Sequence, residues 1–314
     1  MKRQFDVLAI GELNPDLILS GFTVDGPRLG TEQAFESEVL TLGSSTAIAC
    51  VLMQRLGLKT AMCSMVGDDT YGQFCRDALI AEGVDISGIK VAQGQQTGMT
   101  ISLSYPKDRM LLTRYGTMSN FGTGDIDMDL LHDARHLHVG SFFIQSALRP
   151  GLEDLFAAAR SEGQTTSLDL GWDPSETWDQ AALTAVLPHV SVIFPNKVEL
   201  AAITGCADVH DGLERLHAMG AQTIALKLGA DGALYSSADG QIRHPGFPAT
   251  VIDTTGAGDS FNAGFLHAML KRSKPADCLA HANACGALTV QATGGTGGLQ
   301  NYAQVKKLLN SSGR

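Results

Sequence analysis

The chain has 314 residues, 44% hydrophobic and 18% charged, which is enough apolar material for a sizeable α/β core and no composition for disorder. A formal net charge of −10 argues against nucleic acid or an anionic membrane surface as the main partner. The six cysteines have no paired short spacing, which speaks against a zinc site or disulfide framework and for reduced thiols in a cytoplasmic protein.

The N-terminal apolar stretch is too short to span a membrane, is broken by Asp6 and Glu12, and lacks a signal-peptide cleavage pattern. Residues 7–10, ending at Gly11, instead have the pattern of a central parallel strand. Residues 16–40 show no helical period and carry Gly21, Gly26, Pro27 and Gly30, so strands over 17–19 and 34–39 are expected outside the main core. The Ala-, Leu- and Met-rich stretch 46–56 predicts a helix started by Gly43, Ser44 and Ser45 and stopped by Gly57. A strand over 60–66 and a helix over 70–82 follow. Residues 97–117 interrupt the alternation: two β-prone runs joined by Pro106, Lys107 and Asp108 predict a hairpin. Beyond it, strands at 136–139, 166–170, 192–194, 223–228 and 233–236 are expected among helices at 152–160, 178–187, 197–204 and 213–219. The expectation is a single α/β domain over 1–314, a doubly wound, mainly parallel sheet flanked by helices. A small β-sheet lid, built from segments 16–40 and 97–117, is inserted into it.

The segment with most chemistry is Asp253-Thr254-Thr255-Gly256-Ala257-Gly258-Asp259, which follows an apolar run and opens a helix carrying Phe261, Phe265 and Met269 at four-residue steps. A glycine-rich turn at a helix N-terminus presents N–H groups and the positive end of the helix dipole, a setting for an anion. A transferring phosphoryl group is such an anion, and Asp259 in the first turn can accept the proton of an attacking hydroxyl. The same spacing also describes an ordinary capping turn, in which Asp259 only complements the dipole. Asn196 and Glu199 lie three apart on one helical face, which by itself reads first as an asparagine cap with an acid in the first turn. Asn14 and Asp16 follow the first strand, where open α/β sheets place ligands, and could hold sugar hydroxyls or merely shape a turn around Pro15. His132, His136 and His138 have no glutamate or cysteine to complete a metal-ligand spacing, and Gly294 to Gly298 has no following strand–helix–strand unit, so it reads as a flexible turn near the nucleotide pocket.

The run from Asp253 to Phe265 resembles the C-terminal signature of the PfkB-type, ribokinase-like carbohydrate kinases. Asn196 to Glu199 is similar to that family's N-x-x-E element, and Lys227 to Gly232 to its nucleotide loop. Ser44 through Gly57 and Gly11 through Asp16 fall where two earlier family elements are expected, so the resemblance spans nearly the whole chain. It implies an ATP- and magnesium-dependent kinase with Asp259 as base and Gly256, Ala257 and Gly258 as an anion hole. It further implies Asn196 and Glu199 near the phosphates, with Glu199 holding magnesium through water. Lys227 and Gly229 would border ATP, and Asn283 the adenine. Asp253 and Thr255 resemble residues that bind a monovalent cation, such as potassium, in some relatives. Asn14, Asp16, Ser44 and Ser45 would face the substrate, and relatives often dimerise through their lids.

The first signature departs from the family pattern: Ser44 replaces a glycine, Ile48 an asparagine, and Ser45 a lysine common in ribokinases. These changes touch the sugar pocket and speak against ribose and against a sugar phosphate. The expected activity is transfer of the γ-phosphate to a hydroxyl, expected to be primary, of a small neutral sugar or derivative. A nucleoside kinase and a non-catalytic sensor on the same fold are the rival readings.

Overall fold

The structure is a computed structural model and describes residues 3–311. The strands are β1 (Val7–Ile10), β2 (Pro15–Ser20), β3 (Ser37–Leu42), β4 (Thr60–Gly67), β5 (Asp85–Ala92), β6 (Met99–Ser104) and β7 (Arg109–Arg114). They continue with β8 (His136–Val139), β9 (Thr165–Leu168), β10 (Val192–Ile193), β11 (Thr223–Lys227), β12 (Ala233–Ser237) and β13 (Gly240–His244). The α-helices are α1 (Ser45–Arg55), α2 (Thr70–Ala81), α3 (Met128–His132), α4 (Leu152–Ser161) and α5 (Gln180–Val186). After them come α6 (Lys197–Thr204), α7 (Val209–Ala218), α8 (Ala257–Leu270), α9 (Pro275–Thr289) and α10 (Tyr302–Ser311).

Nine strands form one sheet in the order β13-β12-β11-β10-β9-β8-β1-β4-β5. From β11 to β5 every pairing is parallel, and β11, β12 and β13 close that edge as antiparallel neighbours. A parallel sheet is covered on both faces, and alternate side chains serve each cover. Leu8, Ile10, Ile193, Ile224 and Leu226 pack with residues of α4, α5 and α7. Val7, Val192 and Ala225 pack instead with residues of α1, α8, α9 and α10. This is the doubly wound arrangement read from the alternation. β2, β3, β6 and β7 form a separate four-stranded sheet in the order β3-β2-β6-β7, from the two segments expected to leave the main core. No helix among the described residues is long and apolar enough to cross a membrane.

The differences have local causes. α7 starts at Val209, four residues before the predicted start, because Asp208 caps it by accepting from the His210 and Asp211 N–H groups. β5 fully buries only Gly88 and has no continuous apolar run, and β13 is exposed along most of its length. Both take strand form from their neighbours, β4 and β12, rather than from their own pattern.

The parallel order matters for the site because it brings the C-terminal ends of several strands to one edge. Glu12 follows β1, Ser141 follows β8, Asp169 follows β9, Asn196 follows β10, and Lys227 ends β11. Asn196 and Lys227 extend the β10–β11 pairing by one parallel bridge.

Candidate active site

α8 begins at this edge. Gly256, its N-cap, has φ +75°, and a Cβ there would lie 2.5 Å from the Cα and carbonyl oxygen of Gly295. Both the left-handed backbone and the approach of the 294–298 segment demand glycine. Gly295, within the turn expected here, thus serves close packing against the start of α8. The preceding loop is fixed by Asp253, whose carboxylate accepts the Thr255 N–H at 2.9 Å, the Thr255 hydroxyl at 2.8 Å and the Gly294 N–H at 2.8 Å. The first-turn N–H groups of a helix have no partner one turn earlier. Here the Ala257 N–H is engaged by Thr254 O at 3.2 Å, so of the three expected anion-hole residues it is the one with an internal acceptor. Gly258 leaves room for Lys227, whose Nζ would stand 3.4 Å from a Cβ at that position.

Asp259 follows in the first turn, and the Ser45 hydroxyl at the start of α1 donates to its Oδ1. Burial pushes this carboxyl up to about 7, and Asp169 adds to the rise, while Ser45 and Lys227 oppose it. Two cavities meet here. The larger, about 810 Å³, and the smaller, about 580 Å³, are both lined by Ser45, Thr254 and Asp259. The larger takes in Asn196, Glu199, Lys227, Gly229, Gly258 and Asn283. The smaller takes in Asn14, Asp16, Ser44, Thr255 and Gly256. The two residue sets that the sequence assigns to two different ligands therefore line two different but adjoining spaces.

Several of these side chains already have partners. Lys227 Nζ lies 3.1 Å from Asp169 Oδ2 in a nearly buried ion pair. Burial acts against the Lys227 ammonium, but Asp169, Glu199 and Asp259 outweigh it and hold the amine above its usual range. Burial acts likewise against the Asp169 carboxylate, and Lys227 with the Asn262 amide keeps it ionised. Asn196 and Glu199 form a reciprocal capping box at α6: Oδ1 of Asn196 accepts the Glu199 N–H, and Oε2 of Glu199 accepts the Asn196 N–H, both at 2.9 Å. The pair caps α6 and also lines the larger cavity. Glu199 is pushed up to about 7 by burial, with Lys227 opposing and Asp169 reinforcing the rise.

Ser44 and Asn283 are spent more fully. The Ser44 hydroxyl donates to Glu12 O and accepts from the Ala47 N–H at 3.2 Å, capping α1 from a left-handed backbone at φ 69°. That backbone explains why a glycine suits this position in the family pattern. The Asn283 amide donates to the carbonyls of His244 and Pro245 at 3.2 Å, so it holds the loop bordering the larger cavity. Asn14 bonds Asp16 Oδ1 at 3.3 Å, and burial pushes Asp16 up to about 7. His136 and His138 are buried and bonded to Thr165 and Ser167.

Three residues that organise the site are given no role by the sequence reading: Glu12, Asp169 and Asn262. Glu12 is buried and receives the Thr46 N–H and hydroxyl and the Ser141 hydroxyl, tying α1 to the ends of β1 and β8. Asn262 stands three residues after Asp259 on the same helical face, a spacing that could have marked it. Its Oδ1 is buried without a hydrogen-bond partner among the described residues.

A cleft that joins two cavities at a carboxylate and a helix N-terminus, at the carboxyl edge of a doubly wound sheet, is the arrangement of a phosphotransferase with an alcohol group as acceptor. The family model for pfkB family carbohydrate kinases matches residues 4–301, and the chain belongs to that family. It is 30% identical to an ATP-dependent ribose-1-phosphate kinase of Halopiger xanaduensis, over 90% of this chain and 91% of the relative. It is 29% identical to a 2-dehydro-3-deoxygluconokinase of Bacillus subtilis, with 86% of each chain covered. Among solved structures, a protein of E. coli described as a ribokinase II, in complex with ATP and Mg2+, superposes with a TM-score of 0.86. The likeness covers 98% of this chain and 99% of that one at 23% identity, and shows the shared fold.

Proposed function

We propose that the chain transfers the γ-phosphate of ATP to a hydroxyl, most simply a primary one, of a small neutral sugar or sugar derivative, with Asp259 as general base. The observation that supports this best is the meeting of the two cavities at Asp259. A nucleotide in the larger one and an alcohol in the smaller would bring the γ-phosphate and the hydroxyl together beside one carboxylate, with the hydroxyl able to attack phosphorus opposite its bond to the departing ADP oxygen while Asp259 takes the proton. The N–H groups of Gly256 and Gly258 and the α8 dipole then face the charge on the migrating group. In a loose transition state the proton leaves late, so a carboxylate of modest basicity suffices.

The smaller cavity favours an uncharged substrate. Glu12, Asp16 and Asp259 line it, and its one arginine, Arg109, is directed at Asp253, so a phosphate ester would meet several carboxylates. The larger cavity fits hydrated magnesium: Glu199 and Asp169 line it and are hard oxygen donors. Glu199, through water, and Asn196 are the residues that would hold the ion. The metal, when bound, would neutralise charge on the phosphates. The four-stranded sheet would act as the lid that excludes water. Its exposed Val39, Leu40, Met110, Leu111 and Leu112 support pairing of two copies through it.

A nucleoside kinase is the second reading, favoured by Trp172. This ring is 50% exposed in the smaller cavity and stands edge-on to Trp178 at 5.1 Å, a rigid platform for a sugar face or a base. Trp172→Ala is expected to raise the KM for the acceptor about three- to tenfold with little change in kcat, as loss of one aromatic contact implies. Steady-state kinetics with varied acceptor would check it. A panel of hexoses, pentoses, sugar acids, ribose 1-phosphate and nucleosides, read by ADP release, tests the proposal itself. Turnover with a neutral sugar supports it. Turnover only with phosphorylated sugars or only with nucleosides replaces it with that class.

The pH dependence follows from Asp259. A base must be ionised, and this carboxyl gains its proton below about 7, so kcat/KM should fall as pH drops through that value. The Ser45 hydroxyl bond favours the ionised form, so Ser45→Ala should move the acid limb to higher pH. A limb that stays in place in Ser45→Ala would show that another group controls it.

A further inference from the structure

We infer that Arg109, the first residue of β7, supplies from the small sheet the positive charge beside the 253–258 loop, in the place where some relatives hold a monovalent cation. The inference rests on the kinase reading above and concerns how its anion hole is set. Arg109 Nη1 donates to Thr255 Oγ1 at 3.0 Å and lies 3.9 Å from Asp253 Oδ1. These are the two residues that the resemblance gives to potassium, and as they stand they do not fit it. Thr255 donates its hydroxyl proton to Asp253 and accepts from Arg109, so the oxygen serves partners within the chain on both sides. The Asp253 carboxylate already accepts three donors, two on Oδ1 and one on Oδ2, with the guanidinium facing Oδ1. A second cation on the same atoms would stand against that guanidinium and be repelled.

The placement has a consequence for catalysis. Asp253 and Thr255 immediately precede Gly256, whose left-handed backbone begins α8. A bond from the small sheet to this pair makes the seating of that sheet and the setting of the anion hole one event. Arg109 is then a positioning residue: it acts on the migrating phosphate through the 253–258 loop, without touching it.

The test compares wild type, Arg109→Gln and Arg109→Lys in potassium, sodium and tetramethylammonium chloride at equal ionic strength. Wild-type kcat is expected to agree within about twofold across the three salts. Arg109→Gln should lose about tenfold or more of kcat in tetramethylammonium, as misplacement of a catalytic loop does, with Arg109→Lys recovering part. Backbone hydrogen exchange over 253–260, measured in potassium-free buffer without substrate, should be faster in Arg109→Gln than in wild type. Strong activation of the wild type by potassium would overturn the inference, as would an Arg109→Gln defect confined to the KM of the acceptor. Absence of turnover with every alcohol would sink the kinase reading alone. The exchange rates would still decide this one, and unchanged exchange in Arg109→Gln would refute it.

Discussion

Asp259→Asn is expected to lower phosphoryl transfer by about 10³-fold or more, the upper range for loss of a general base, while ATP affinity changes little. Asparagine keeps the shape and can still accept the Ser45 hydroxyl, so the loss reports the proton acceptor rather than the packing. The same variant should be more stable than wild type at pH 8. The folded carboxyl titrates near 7 against its ordinary 3.8, so the native state binds the proton more tightly than the unfolded chain. The contribution of Asp259 to stability is therefore fully present below about pH 4, declines as pH rises through 7, and is at its lowest at pH 8. Asparagine removes that decline. Melting temperatures at pH 8 and pH 5 check it: a gain at pH 8 that shrinks at pH 5 is expected, and a loss at pH 8 would mean that the ionised carboxylate is a net stabiliser through Lys227.

Lys227→Met should be the most destabilising single change at the site. Lys227 and Asp169 are 14% and 5% exposed, and Glu199 and Asp259 share the same ammonium as counter-charge. Removing one member of a buried ion pair costs about 3–5 kcal/mol because the other charge is left uncompensated. Methionine fills most of the volume, so the cost is electrostatic. Without the ammonium the three carboxyls hold protons more readily, and the deficit should shrink from pH 8 toward pH 5. Combining Lys227→Met with Asp169→Asn should recover much of the loss, since the stranded charge is gone. Urea unfolding of the two single variants and the double variant measures this. A Lys227→Met cost near zero, or a double variant as unstable as the sum of the singles, would contradict the account of the pair.

The legible parts of this molecule are those written in contiguous residues. β4 announces itself by a continuous run of buried residues, and the 253–259 turn by its glycines, its acid and the helix behind them. β5 and β13 carry no such pattern, because pairing with a stronger neighbour makes them strands. The site divides the same way. The sequence could assign Asn196, Glu199, Lys227 and Asn283 to one ligand and Asn14, Asp16, Ser44 and Ser45 to another, and the fold gathers them into two cavities. It could not show which donors are spent. Lys227 meets Asp169 across 58 residues because β9 and β11 lie one strand apart, with β10 between them. Arg109 reaches Thr255 across 146 residues only because the small sheet leans over the start of α8. Ser44 occupies a glycine-like backbone that its residue type gives no reason to expect.

The most direct measurement is a crystal structure of the chain with a non-hydrolysable ATP analogue, magnesium and the best acceptor from the substrate panel. The terminal phosphate should lie at the N-terminus of α8 in the larger cavity, with the acceptor oxygen in the smaller one, within hydrogen-bond reach of Asp259. A nucleotide bound away from α8, or an acceptor whose hydroxyls all point away from Asp259, would contradict the central claim.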